Sequence, residues 1–157
     1  MVEKLFNEVY DKFKLSFYRR MFQGLEEGET ALTAIETFCV EVIAALNRPT
    51  IKEVTEFLDI SQPNTAYKVS SLTRKGYIKK VPSTEDKRER FLELTEKYDK
   101  YDELKKLYVH IVMDRLKERL PKEDIDTLAR ILELMSTELM PEVTELIEKS
   151  KSKRNKS

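Results

Sequence analysis

Apolar residues recur every three to four positions along most of this chain and every second position along one short stretch. Leu5, Val9, Phe13, Phe17 and Met21 fall at i, i+4 spacing, with Phe6 and Tyr10 beside them, which predicts an amphipathic helix from residue 3 to about residue 23. "GLEEGET" then breaks the pattern. Thr33 and Glu36 have the S/T-x-x-E spacing of a capping box, in which each side chain satisfies the other's backbone N–H. The helix they open carries Ile35, Phe38, Val42, Ile43 and Leu46 and ends before "NRP". Thr50 and Glu53 repeat the spacing and open a short helix, "IKEVTEFL", with Ile51, Val54, Phe57 and Leu58 inward.

A tight turn, "DIS", follows. Ser61 suits an N-cap, and Pro63 suits the first helical turn, where its missing N–H costs nothing. That helix runs to Lys75, and Gly76 ends it in a left-handed conformation. Two short helices joined by so brief a turn form a helix-turn-helix. The period then shortens to two. "YIKKVP" and "RFLEL" are extended runs separated by "STEDKRE", with Leu92 and Leu94 alternating with Phe91 and Glu93. A β-hairpin appended to a helix-turn-helix is a winged helix. Thr95 starts a long helix with Tyr101, Leu104, Leu107, Tyr108, Ile111, Val112, Leu116 and Leu120 on its apolar side, and Pro121 punctuates it. A last helix carries Ile125, Leu128, Leu132, Met135 and Leu139, a seam suited to packing on another helix. Pro141 is expected to kink or interrupt it, and residues 150–157 read as a basic, disordered tail. The expected fold class is mainly α (α+β), with a winged helix-turn-helix lobe between flanking helices.

Composition narrows the class. The 157 residues are 40% hydrophobic and 37% charged with only 3 glycines, which suits a soluble, mainly helical chain. No apolar run reaches the length of a membrane span, and the N-terminal "MVEKLFNEVYDKFK" does not read as a signal peptide. The single cysteine excludes an internal disulfide and suits a reducing, cytoplasmic setting. Net charge is zero, yet residues 61–90 hold eight Lys/Arg against three acids, a local +5. A polyanion responds to such a patch more than to the total.

The helix from Ser61 to Lys75 departs from the Glu/Lys surface used elsewhere. On a helical wheel Thr65, Val69, Leu72 and Gly76 share the packed face, while Tyr67, Ser70 and Arg74 face away with Pro63. Asn64 and Ser71 flank that outer face, and Gln62 sits at the exposed N-terminal end. A recognition helix in double-stranded DNA needs short hydrogen-bonding groups near its N-terminus, with basic and amide groups along its sides for phosphates. Asn and Gln can pair bidentately with adenine. Taken alone, the helix has a second reading as an ordinary solvated one that is polar but uncharged. The hairpin loop "STEDKRER" shifts the balance: Arg88 at its tip, beside Lys87, is suited to the negative potential of a minor groove, and Asp86 can hold its guanidinium.

With these features in place, "TIKEVTEFLDISQPNTAYKVSSLTRKGYIKKVPSTEDKRERFLELTEK" resembles the DNA-binding lobe of the multiple-antibiotic-resistance regulator (MarR) family. The resemblance rests on the capped short helix, the turn before Ser61, "L-x-x-K-G-Y-I", the "D-K-R" wing and "L-T-E-K", and covers residues 50–97. It implies a homodimeric regulator acting on a pseudo-palindromic operator. Residues 1–149 would form a single MarR-like domain, with 1–31 and 100–149 supplying dimerisation helices and 33–97 the winged lobe. Carried over by position, the DNA contacts are Ser61, Gln62, Asn64, Thr65, Tyr67, Lys68 and Ser71, with Asp86 and Arg88 in the wing. Tyr98 stands where the family usually has Gly, Lys68 where it is usually apolar, and Pro63 replaces a common small polar residue. The family's effectors bind where dimerisation helices meet the lobe, so Phe17, Met21, Phe38, Tyr101 and Tyr108 are candidates to line a site for a small apolar or phenolic effector; plain core packing is the alternative for each.

Other chemistry finds little support. Cys39, between Phe38 and Val42, reads as a small buried hydrophobe, and a metal site with one histidine, His110, and one distant cysteine would fall to carboxylates. No metal or other cofactor is expected. There is no Gly-rich phosphate loop and no G-x-S-x-G, so an enzyme is not expected. The rival is a winged-helix protein–protein adaptor without DNA binding, against which the local +5 argues.

Overall fold

The computed structural model describes residues 1–23, 31–84, 86 and 88–152. In chain order it contains α1 (Val2–Phe22), α2 (Ala34–Leu46), α3 (Ile51–Leu58), α4 (Gln62–Arg74), β1 (Ile78–Pro82), β2 (Arg90–Leu94), α5 (Glu96–Arg119), α6 (Lys122–Thr137) and α7 (Pro141–Ser152). The break expected at "GLEEGET" covers residues 24–30, outside the described residues.

Both capping boxes form. The Glu36 carboxylate accepts the Thr33 backbone N–H at 2.8 Å and Thr33 Oγ1 accepts the Glu36 N–H at 3.2 Å. Thr50 and Glu53 do the same at 2.7 and 3.2 Å. These reciprocal bonds spend orphan donors that every helix start must satisfy. Asp59 then takes a left-handed φ of 51°, which turns the chain from α3 into α4. α4 closes on Gly76 at φ 83°. The Gly76 N–H donates to the Thr73 carbonyl at 3.1 Å and the Tyr77 N–H to the Leu72 carbonyl at 3.0 Å, the pair of bonds of a Schellman motif. A Cβ at Gly76 would meet Lys97 Cδ at an ordinary 3.7 Å, so the obstacle to substitution is backbone conformation and not space. Gly76→Ala is expected to cost about 1–2 kcal/mol, read as a lower urea midpoint.

The chain divides into two compact units, residues 1–31 with 100–133 and residues 32–99 with 134–157. In the second, α2, α3 and α4 pack together over the antiparallel pair β1–β2, and α7 lies on α2 and α3. Val40, Ile43, Leu46, Val54, Val69, Leu72 and Leu92 are fully buried there. Strand register pairs Ile78 with Leu94 and Val81 with Phe91, and Thr50 bridges to Phe91, tying the hairpin to the start of α3. Residues 134–149, grouped by sequence with the dimerisation helices, fall in this unit.

Pro141 interrupts the last helix as expected and becomes the first residue of α7. Residues 150–152, read as the start of a disordered tail, are helical; Lys149 near the C-terminus complements the helix dipole. Residues 153–157 lie outside the described residues.

In the first unit, α1 and α5 meet through aromatic rings. Phe17 stands edge-on to Tyr101 at 6.1 Å, and Phe13 to Tyr108 at 5.8 Å. Towards its start α1 leaves Leu5, Phe6, Val9 and Tyr10 about half exposed, and α6 does the same with Ile131 and Leu132. Among the described residues, none on α1 or α6 is fully buried.

Candidate nucleic-acid interface

α4 presents two opposite faces. Thr65, Val69 and Leu72 are completely buried against the lobe core. Ser61, Gln62, Pro63, Asn64, Ser70 and Arg74 are exposed, and Tyr67, at 69%, is among the most exposed large apolar side chains of the lobe. Ser61 occupies the N-cap position, but its side chain makes no cap hydrogen bond; its backbone carbonyl instead accepts the Thr65 N–H at 3.0 Å and the Thr65 hydroxyl at 3.3 Å. Lys68 is half-buried, and its ammonium sits over the Tyr67 ring at 5.3 Å, so stem and head lie along the edge of the outer face.

Two of the residues carried over as DNA contacts do not reach this face. Thr65 is wholly enclosed, and its hydroxyl serves its own helix. Ser71 is 6% exposed, and its hydroxyl donates to Glu36 Oε1 at 2.5 Å. The wheel placed Ser71 at the flank of the wet face; α2 packs against that flank and covers it. Lys75 turns the same way, donating to Glu36 Oε2 at 2.6 Å with its side chain only 10% exposed. One of the eight basic residues of the 61–90 segment is thus spent inside the lobe. Lys79 pairs with its cross-strand neighbour Glu93 at 3.4 Å but keeps most of its surface in solvent.

Glu36 was legible only as a capping residue. Burial raises its pKa, but donors from Lys75, Ser71 and Thr33 outweigh that and hold it down at about 2. All buried side-chain polar atoms among the described residues have partners.

The hairpin loop is organised by Asp86. Its backbone N–H donates to Ser83 Oγ at 3.2 Å, and its carboxylate accepts the Arg88 backbone N–H at 2.8 Å. The carboxylate therefore fixes the backbone of Arg88, not its guanidinium as the spacing suggested; at a separation of two residues an Asx-type turn brings the amide to the carboxylate. The Ser83 N–H to Glu89 carbonyl bond, at 3.0 Å, closes the loop. The Arg88 side chain is exposed. Lys87 lies outside the described residues. Arg48, which sequence reasoning missed, joins this region: it bonds Glu93 at 2.7 Å and lies 5.4 Å from the Phe91 ring. Its φ of 60° follows Asn47 at 52°, a conformation "NRP" alone did not announce.

Of the candidate effector residues, the structure brings Phe17 and Tyr101 together and sets Tyr108 against Phe13. Met21 is half-buried on α1. Phe38 lies on α2 of the other unit with more than half of its surface exposed. Cys39 is buried, and burial pushes its thiol up to about 11. Native protein is expected to resist thiol reagents at neutral pH, with full labelling on unfolding; rapid labelling of the folded chain would contradict this.

Residues 32–97 match a family model described as a winged helix DNA-binding domain. No curated protein matches. Among solved structures, a MarR family protein from Bacillus stearothermophilus is similar at TM-score 0.64 and 16% identity, covering 88% of this chain and 92% of its own. Streptococcus pneumoniae FabT in complex with DNA gives 0.57 and 19%, over 88% and 97%. A mutant of S. aureus MepR bound to an oligodeoxyribonucleotide gives 0.57 and 18%, over 89% and 99%. The chain therefore has a winged helix fold of the kind seen in MarR-family structures.

Proposed function

We propose that this winged-helix chain is a MarR-type transcriptional regulator that acts as a homodimer on a pseudo-palindromic operator in double-stranded DNA. The observation that carries the reading is the outer face of α4. Gln62, Asn64 and Tyr67 stand exposed on a helix whose other side is locked into the lobe, with Arg74 further along and Arg88 on the neighbouring loop. Short amides read base edges, Arg74 and Lys68 meet phosphates, and Arg88 enters the adjacent minor groove. The Ser61 hydroxyl, which makes no cap bond, is available to a phosphate at the helix N-terminus.

The dimer follows from the apolar surface that α1 and α6 leave uncovered, Leu5, Phe6, Val9 and Ile131 among it. The regulator represses by occluding polymerase in the cytoplasm, and a small apolar or phenolic molecule modulates it through the Phe17–Tyr101 region. No helix among the described residues is long and apolar enough to cross a membrane. The two supporting DNA-bound structures are of other proteins; the reading is tested on this one. Selection from a random duplex library is expected to yield inverted half-sites about one helical turn, roughly 34 Å, apart, bound by two copies of the chain. Selection of no sequence, or binding by a single copy to one half-site, would overturn it.

A further inference from the structure

Ser71 on α4 and Lys75, the residue that caps its C-terminus, lie one turn apart, and both reach inward to a single carboxylate on α2. That carboxylate is itself pinned, because Glu36 Oε2 also accepts the Thr33 backbone N–H at 2.8 Å. The far side of Lys75 is held too: its carbonyl accepts from Lys97 Nζ at 2.8 Å, and the Gly76 carbonyl accepts from Thr95 Oγ1 at 2.6 Å. Val69 and Leu72 anchor α4 by apolar contact, an attraction that is non-directional and sets the aim of the helix less sharply than polar bonds do. Charge-assisted hydrogen bonds fix angle as well as distance. A buried ion pair is moreover a poor source of net stability compared with apolar packing, so its value here lies in geometry.

We infer that Glu36 is a positioning residue for DNA recognition: through Ser71 and Lys75 it sets the roll of α4, and hence the aim of Gln62, Asn64 and Tyr67, while Lys75 is an internal strut and not a phosphate contact. The inference rests on the DNA-binding reading above. Rolling α4 displaces every base-reading side chain together, whereas contacts that respond only to the charge of the backbone tolerate it. Specific binding therefore suffers more than non-specific binding.

The test compares Ser71→Ala and Lys75→Met with wild type on two duplexes, one selected by the wild type and one scrambled, over a range of salt. Both variants are expected to lower the ratio of specific to non-specific affinity by about tenfold or more. The slope of log K against log salt on the scrambled duplex is expected to be unchanged. Thr33→Ala, which loosens the α2 cap but leaves the contacts to Ser71 and Lys75, serves as the control for simple destabilisation and is expected to keep the ratio. An unchanged ratio in Ser71→Ala, or a salt slope reduced by about 1 in Lys75→Met, overturns the inference, the latter because it marks a lost phosphate contact. If the wild type selects no duplex, the DNA-binding reading has failed and the strut is judged by amide exchange alone. Exchange at residues 69–77 that speeds up about tenfold in Ser71→Ala supports it, and unchanged exchange overturns it.

Discussion

Lowering the pH from about 5 to about 2 is expected to remove about 3 kcal/mol of stability through Glu36 alone. Its carboxyl titrates at about 2 in the fold against an ordinary 4.5. A group whose folded pKa is depressed contributes stability that is fully present above the unfolded value and is lost as pH falls towards the folded one. The window is therefore about 4.5 down to about 2, at about 1.4 kcal/mol per pH unit. Because the side chain is only 6% exposed, little of this is screened by solvent. Glu36→Gln removes the titration and leaves Lys75 facing a neutral amide. Urea midpoints across this range are expected to show a shallower acid limb for the variant. Parallel acid limbs would mean that Glu36 is not held as described.

Leu72→Ala is expected to destabilise the lobe by about 2–5 kcal/mol. Leu72 is fully buried on α4, facing the core under α2 and α3 and away from the exposed outer face. Truncation removes buried apolar surface and leaves a cavity in a site framed by rigid elements, which limits collapse. The loss should appear as a lower urea midpoint with an unchanged m-value. At low denaturant, where the folded form still dominates, affinity for the selected duplex should change little, since the side chain faces away from the outer surface. A loss below 1 kcal/mol would show that the packing of α4 is looser than the structure indicates.

Period and caps made most of the winged lobe legible. Thr33/Glu36, Thr50/Glu53 and Gly76 each mark a boundary by local chemistry, so the ends of α2, α3 and α4 fall within a residue or so of expectation. The shift from period 3.6 to 2 placed β1 and β2 equally well. What was not legible depends on neighbours far along the chain. A wheel shows which residues share a face, not which flank α2 will cover, and so Ser71 was placed in the wet region. Lys75 counted as part of a basic patch because sequence cannot show that the carboxylate of Glu36, a cap residue, also lies within reach of its ammonium. Positional carry-over assigned Thr65 to DNA although its own wheel position pointed inward. Phe38 shows the opposite limit: an apolar residue on a helical stripe remains more than half exposed.

The most direct measurement is binding of wild type and Arg88→Ala to the selected duplex as a function of salt. Arg88 is exposed on a loop whose backbone Asp86 fixes, so its removal should disturb the fold little. The account predicts a steep fall of log K with log salt for the wild type, and a loss of about 1–3 kcal/mol in the variant with its melting behaviour intact. Absence of binding above background at low salt, or wild-type affinity in Arg88→Ala together with a flat salt response, would contradict the central claim that this helix and wing form a DNA-reading surface.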